Sequence, residues 1–158
     1  MSGTVHASAV ALDGAGVLIR GTSGAGKSTL ARALVADFAA RGRFARLVAD
    51  DRVALDPRGE RLIARVPPRL AGLVEVRGVG IVPVRHLAAV RLSLVVSLVP
   101  DAPRYPEEEG ATVLLAGVAV AALCLSHHSV PASVLAVAAV LGSDGLTTAT
   151  PQTQRPAT

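Results

Sequence analysis

Near the N-terminus the spacing of apolar residues predicts a strand, a glycine-rich turn and a helix in immediate succession. Residues 16–20 read Gly-Val-Leu-Ile-Arg, a short apolar run of the length a buried strand takes. Residues 29–41 put Leu30, Ala33, Leu34 and Phe38 on one face at intervals of three and four, which predicts an amphipathic helix. A second strand is expected within residues 45–53, where Ala-Arg-Leu-Val-Ala runs into the adjacent carboxylates Asp50 and Asp51. Residues 73–82 carry two glycines beside an acid and a guanidinium, which suits a tightly turned loop or a strand with a bulge.

Further on, residues 111–125 are almost wholly apolar, and mean hydropathy is high at +0.49. A helix crossing a bilayer needs roughly 20 apolar residues. This run stops at Ser126-His127-His128, so buried strands broken near Gly117 are expected instead. Residues 131–142 have a helical look, and residues 143–158 turn polar and rich in Pro and Thr, which predicts a disordered tail. No internal repeat or linker divides the remainder, and one domain over residues 1–142 is the expectation.

Between the first strand and the helix lies Gly21-Thr22-Ser23-Gly24-Ala25-Gly26-Lys27-Ser28, which fills the pattern G-x-x-x-x-G-K-[ST] at every position. Its lysine is the only one among the sixteen lysines and arginines of the chain. Glycines let the backbone wrap closely around phosphate oxygens and adopt positive φ. Successive N–H groups then point at the anion, and the following helix adds its positive dipole end. Lys27 would reach the β and γ phosphates and the Ser28 hydroxyl would ligate Mg2+. The candidate nucleotide-binding residues are therefore Gly21, Thr22, Ser23, Gly24, Ala25, Gly26, Lys27, Ser28 and Thr29.

Composition narrows the classes. A chain of 158 residues can bury a core without disulfides or a structural metal. Cys124, the single cysteine, lies in the apolar run and is expected in the core. A net charge of +4 attracts anions, but two phenylalanines, one tyrosine and no tryptophan offer few stacking platforms, which disfavours nucleic acid as a partner. Residues 1–10 have neither a cationic start nor a long apolar stretch, so no signal peptide is expected and a cytoplasmic protein away from the membrane is. His127 and His128 lack a neighbouring cysteine or carboxylate in the sequence to complete a metal site.

Asp50 falls 23 residues after Lys27. Parallel βα topology brings the carboxyl ends of neighbouring strands together beside the phosphates, where one carboxylate would join the metal shell and the other take a proton. The alternative is a turn in which Asp51 caps and Asp50 is solvated.

In order along the chain, His6-Ala7-Ser8, the glycine loop, Leu47-Val48-Ala49-Asp50-Asp51-Arg52 and Val74-Glu75-Val76-Arg77-Gly78-Val79-Gly80-Ile81 closely resemble the catalytic, C-terminal domain of HPr kinase/phosphorylase. That bacterial enzyme acts on a serine of the phosphocarrier protein HPr, and the likeness, over roughly residues 5–110, is to the short alphaproteobacterial form. The resemblance implies an α/β fold, P-loop-containing, with a phosphoenolpyruvate carboxykinase-like core and a mixed β-sheet. It also implies an ATP- and Mg2+-dependent serine kinase with an HPr-type partner and a homo-oligomeric assembly, hexameric in the family. Phosphorolysis of seryl-phosphorylated HPr, giving pyrophosphate, would be the reverse reaction.

By the same resemblance Lys27 would stabilise the transferring phosphoryl group, and Ser28 and Glu75 would coordinate Mg2+. Asp51 would take the serine proton, supported by Asp50, and His6 matches the family's active-site histidine. Arg104, in Pro-Arg-Tyr-Pro, is the nearest match to a further catalytic arginine that the family sets in Asp-Arg-Leu. Arg77 would contact phosphate or the partner. Residues 125–132 contain no counterpart of the arginine-rich segment that supports dephosphorylation in longer members, so kinase activity is the firmer half. Two other classes fit the loop: a P-loop small-molecule kinase with Arg58, Arg61, Arg65 and Arg69 in a lid, or a non-catalytic ATP-binding regulatory module.

Overall fold

The computed structural model describes residues 3–106 and 110–142, and the tail expected at residues 143–158 lies outside the described residues. Strands β1 (Thr4–His6), β2 (Ser8–Leu12) and β3 (Ala15–Gly21) lead into α1 (Lys27–Ala40). Next come β4 (Ala45–Ala49), β5 (Arg52–Arg58), β6 (Arg61–Arg65), a 3-10 turn (Pro68–Leu70), β7 (Leu73–Val76) and β8 (Gly80–Pro83). The chain then forms β9 (Ala89–Val99), β10 (Thr112–Leu115), β11 (Val118–Ser126) and α2 (Val130–Val140).

The main sheet is mixed, in the order β1-β5-β6-β9-β3-β2-β4, with β11 paired to β9 and β10 to β11, while β7 and β8 form a hairpin of their own. Strand β9 joins its two parts. Residues 89–91 pair antiparallel with β6, and the later residues pair in parallel with β3 and β11. The change falls at a bulge: Gly16 is opposite Leu92 and Val17 opposite Leu94, which leaves Ser93 as the extra residue. A Cβ on Gly16 would stand 2.3 Å from the Arg91 carbonyl oxygen, so the close approach of β3 and β9 requires glycine there. The extra residue also reverses facing, which puts Leu92 in one apolar cluster and Leu94, Val96 and Leu98 in the other.

Both faces of the β4-β2-β3-β9-β11 region are covered, and the period-two alternation of its strands divides side chains between the layers. On one face Leu30, Leu34 and Phe38 of α1, with Val134 and Val137 of α2, pack over Val10, Leu12, Val17 and Ile19. On the other, Ala9, Ala11, Leu18 and Val95 meet Val53, Leu55, Leu62 and Ala64 of the folded-over β5–β6 segment. The expected helix at 29–41 therefore exists, begins two residues earlier, and buries the anticipated Leu30, Leu34 and Phe38.

Residues 111–125 form the β10–β11 hairpin, whose two-residue turn at Ala116 and Gly117 has φ of 48° and 78°, as a type I′ turn needs. No helix among the described residues is long and apolar enough to cross a membrane. Cys124 corrects the sequence-based expectation, since it is exposed rather than buried. Leu123 and Leu125 pack toward the helices, which turns Cys124 to the opposite face. There the β5–β6 layer buries Val118 and Val120 but not the later part of β11.

In the β5–β6 hairpin, a hydrogen bond from Arg58, with a further contribution from Arg65, holds the Asp56 carboxyl below its ordinary value. A depressed carboxyl stabilises the fold above its unfolded pKa and loses that effect as pH falls through the folded one. Asp56→Asn should therefore lower the thermal midpoint slightly at pH 7, with the difference from wild type closing in acid.

Candidate active site

β3, β9 and β11 are mutually parallel, and β4 runs the same way because both β3 and β4 are antiparallel to β2. The carboxyl ends of four strands and the start of β2 thus share one edge of the sheet, the edge where open α/β sheets place ligands. Across it, in spatial order, stand Asp50 and Asp51 after β4, Ser8 at the start of β2, the glycine loop after β3, the turn after β9, and His127 and His128 after β11.

The loop follows β3 and delivers the chain into α1 at Lys27. Gly24 and Gly26 have φ of 82° and 91°, left-handed values at which a side chain would be strained, and Gly26 is the N-cap of α1. Lys27 is only 7% exposed, and its Nζ donates to the carbonyl oxygens of Gly21 and Thr22, both at 3.0 Å. Two of the three ammonium protons hold the side chain across the loop, and one remains for a ligand.

Asp50 is 8% exposed, and its Oδ1 accepts from Ser28 Oγ at 2.6 Å and from Ser8 Oγ at 2.8 Å. Ser8 received no role from sequence reasoning. The signal for it was a single hydroxyl opening the run Ser-Ala-Val-Ala-Leu of β2, every residue of which is buried. A buried hydroxyl needs a partner, and here the partner is the carboxylate that also holds the serine of the glycine loop.

Asp51 points the other way. Its carboxylate pairs with His6 Nε2 at 2.8 Å, with the Asp51 side chain 69% exposed. Antiparallel pairing of β1 with β5 sets His6 opposite Arg52 and so beside Asp51. The turn between β4 and β5 is tight: Arg52 N–H donates to the Asp50 carbonyl, Ala7 N–H to that of Asp51, and Asp51 takes φ of 71°. Aspartate tolerates this left-handed conformation better than most side chains.

Two anticipated residues are not brought into this cluster. Val74 packs against the helical layer, so strand alternation turns Glu75 outward, where it makes no hydrogen bond or ion pair with Ser28 or Asp50. Arg104 stands exposed in the turn after β9 with its guanidinium 5.7 Å from the Tyr105 ring centre. Among the arginines imagined as a lid, Arg58 and Arg65 are instead engaged by Asp56. His128 Nε2 lies 3.9 Å from Asp101 Oδ1, but no group of three or more metal-ligating side chains occurs among the described residues.

A curled mixed sheet with a glycine loop at its carboxyl edge, and a carboxylate bound to the serine after the loop lysine, defines a mixed α/β domain. Residues 1–102 match the family model of the HPr Serine kinase C-terminal domain, and the chain belongs to that family. It is similar to the HPr kinase/phosphorylase of Lacticaseibacillus casei strain BL23 (42% identical over 100 residues) and to that of Enterococcus faecalis strain V583 (43% over 100 residues). Each match covers 61% of this chain and 30% of the relative, so the chain spans less than a third of the length of these curated relatives. The solved structure of the Hpr(Ser) kinase/phosphatase from Coxiella burnetii matches with a TM-score of 0.71 at 28% identity, covering 85% of this chain and 93% of that one.

Proposed function

We propose that this domain is an ATP- and Mg2+-dependent serine kinase whose substrate is an HPr-type phosphocarrier protein in the cytoplasm. The observation that carries the reading is the divergence of the two adjacent aspartates. Asp50 is buried and bound to the loop serine, whereas Asp51 is exposed and bound to His6. One carboxylate faces the phosphate loop and the other faces the side from which a protein substrate can approach. A regulatory module has no need of the second, and Arg58 and Arg65, which a small-molecule kinase would use in a lid, are held by Asp56.

Ser28 Oγ and Asp50 Oδ1, 2.6 Å apart, are hard oxygens beside the loop, which fits a small oxygen-seeking cation such as Mg2+. Bound there, Mg2+ would offset charge on the β and γ phosphate oxygens. Lys27 would direct its remaining proton to the transferring phosphoryl group, and the loop N–H groups would orient the rest of the triphosphate. Asp51 would accept the proton of the substrate serine as its Oγ forms the new bond to phosphorus and ADP leaves. His6 would keep the carboxylate aimed at that hydroxyl. In phosphorolysis Asp51 would return the proton as the serine departs and phosphate is converted to pyrophosphate. Glu75 as a metal ligand and Arg104 as a charge stabiliser enter this reading from the family pattern. So do the phosphoenolpyruvate carboxykinase-like core and a homo-oligomeric, hexameric assembly.

The test is transfer of labelled γ-phosphate from ATP, with Mg2+, to the HPr of the same organism. Label on the HPr serine is the expected result. Tight ATP binding with no label transferred would favour the regulatory module, and label passing only to a small molecule would favour the other kinase class.

A further inference from the structure

We propose that the outward face of the β5–β6 hairpin and the start of β9 is the docking surface for the protein substrate, and that it receives a carboxylate-rich patch beside the acceptor serine. The assignment rests on the protein-kinase reading above. Strand alternation builds the face. Val53, Leu55, Leu62, Ala64 and Leu92 point into the core, so Arg52, Asp56, Arg58, Arg61, Arg65 and Arg91 point away from it. Register then sets them side by side: Arg58 is opposite Arg61, Asp56 opposite Ile63, and Ile63 opposite Arg91. On these strands five arginines stand against Asp56 and, at the hairpin turn, Glu60, which is most of the positive surplus of a chain with net charge +4. Asp56 engages Arg58 and Arg65. Arg52, Arg61 and Arg91 are exposed and make no hydrogen bond or ion pair among the described residues. On the helical side, by contrast, Arg41 and Arg43 are matched by Asp37 and Asp13.

Two features assign the face its role. It is continuous with the acceptor side of the site, because His6 lies opposite Arg52 at its near end and holds the Asp51 carboxylate. From Arg52 to Arg58 the face runs about 20 Å at roughly 3.3 Å per residue, within the breadth of a standard interface of about 800 Å² per partner. At its far end β6 and β11 take the same edge of β9 in turn, since Ile63 is opposite Arg91 and Ala121 opposite Leu94. Leu92 and the bulged Ser93 fall between them, and the gap is a hollow of about 280 Å³ rimmed by Arg61 and Arg91, with Ala119 and Ala121 too small to fill it. Two guanidinium groups at an open hollow suit a carboxylate side chain. Apart from His6 the face carries no aromatic ring, so it offers single-stranded nucleic acid nothing to stack on.

The experiment measures transfer of labelled phosphate from ATP to the HPr of the same organism over a range of HPr and salt concentrations. Arg61→Glu and Arg91→Glu should each raise KM for HPr by about 2- to 30-fold, while kcat at saturating HPr and the Kd for ATP stay unchanged. Arg61→Gln, which removes the charge without reversing it, should raise KM less. Added salt should raise KM for the wild type and much less for the double reversal. Arg32→Glu makes the same change of net charge at an exposed position on α1, across the sheet, and should leave KM unmoved. An unmoved KM in both face variants would overturn the assignment. So would an equal rise in Arg32→Glu, because net charge alone would then be at work. A fall in kcat at saturating HPr would also overturn it, since the arginines would then act on the reaction rather than on docking. Wild-type protein that transfers no label to HPr would remove the kinase reading itself, and the docking role with it.

Discussion

Asp51→Asn is expected to lower phosphoryl transfer to HPr by about 10²- to 10⁴-fold, the usual contribution of a positioned general base, with ATP affinity nearly unchanged. The amide suits this test because it keeps the size and one acceptor oxygen of the side chain while removing its charge and basicity. Asparagine tolerates left-handed φ as aspartate does, so the turn between β4 and β5 at φ 71° can persist. Its carbonyl oxygen can still accept from His6 Nε2, which lies 2.8 Å from the present carboxylate. A group that acts only while the proton moves affects kcat and kcat/KM alike. The variant should therefore show both falling together, an unaltered Kd for ATP and an unaltered melting temperature. A large loss of ATP affinity instead would place Asp51 with the phosphates and reverse the roles of the two aspartates. His6→Ala removes the orienting contact but not the base, so its loss of kcat should be smaller.

Local patterns made part of this site legible in the sequence, and long-range pairing hid the remainder. The glycine loop could be read because its chemistry is contiguous: strand, turn and helix lie within residues 15–40, and Gly24 and Gly26 occupy left-handed positions that only glycine accepts readily. The expected strands at 111–125 were likewise a local signal, a hairpin closed by Ala116 and Gly117. The separate contacts of Asp50 and Asp51 could not be read in the same way. They depend on β2 lying between β3 and β4, which brings Ser8 to Asp50, and on β1 pairing with β5, which brings His6 to Asp51. Cys124 was misread for a similar reason. An apolar run reports that a strand is covered, but how far the layer above it extends is set by β5 and β6, about sixty residues earlier in the chain. The facing of Glu75 was likewise out of reach of the motif, because it follows from Val74 taking the inward face of the same strand.

Asp50→Ala should abolish the Mg2+ dependence of nucleotide binding and also destabilise the fold by about 1–3 kcal/mol, the cost of stranding a buried hydroxyl. The sign of the stability effect is not obvious, since removing a carboxylate that is 8% exposed also removes a desolvation penalty. Ser8 decides it. Its side chain is fully buried on β2 and donates to Asp50 Oδ1 at 2.8 Å, so the alanine variant leaves that donor facing apolar neighbours. Ser28 is less affected because it is only part-buried, and its hydroxyl can turn to solvent. The double variant Ser8→Ala/Asp50→Ala removes donor and acceptor together, and it should be more stable than the sum of the single costs implies. A coupling of about 1–3 kcal/mol is expected in urea unfolding. With Asp50 retained, Ser8→Ala should raise the Mg2+ concentration needed for half-maximal nucleotide binding, because the carboxylate loses the contact that fixes its rotamer. Strictly additive unfolding costs, together with an unmoved Mg2+ midpoint, would show that Ser8 merely fills space and that Ser28 alone positions Asp50.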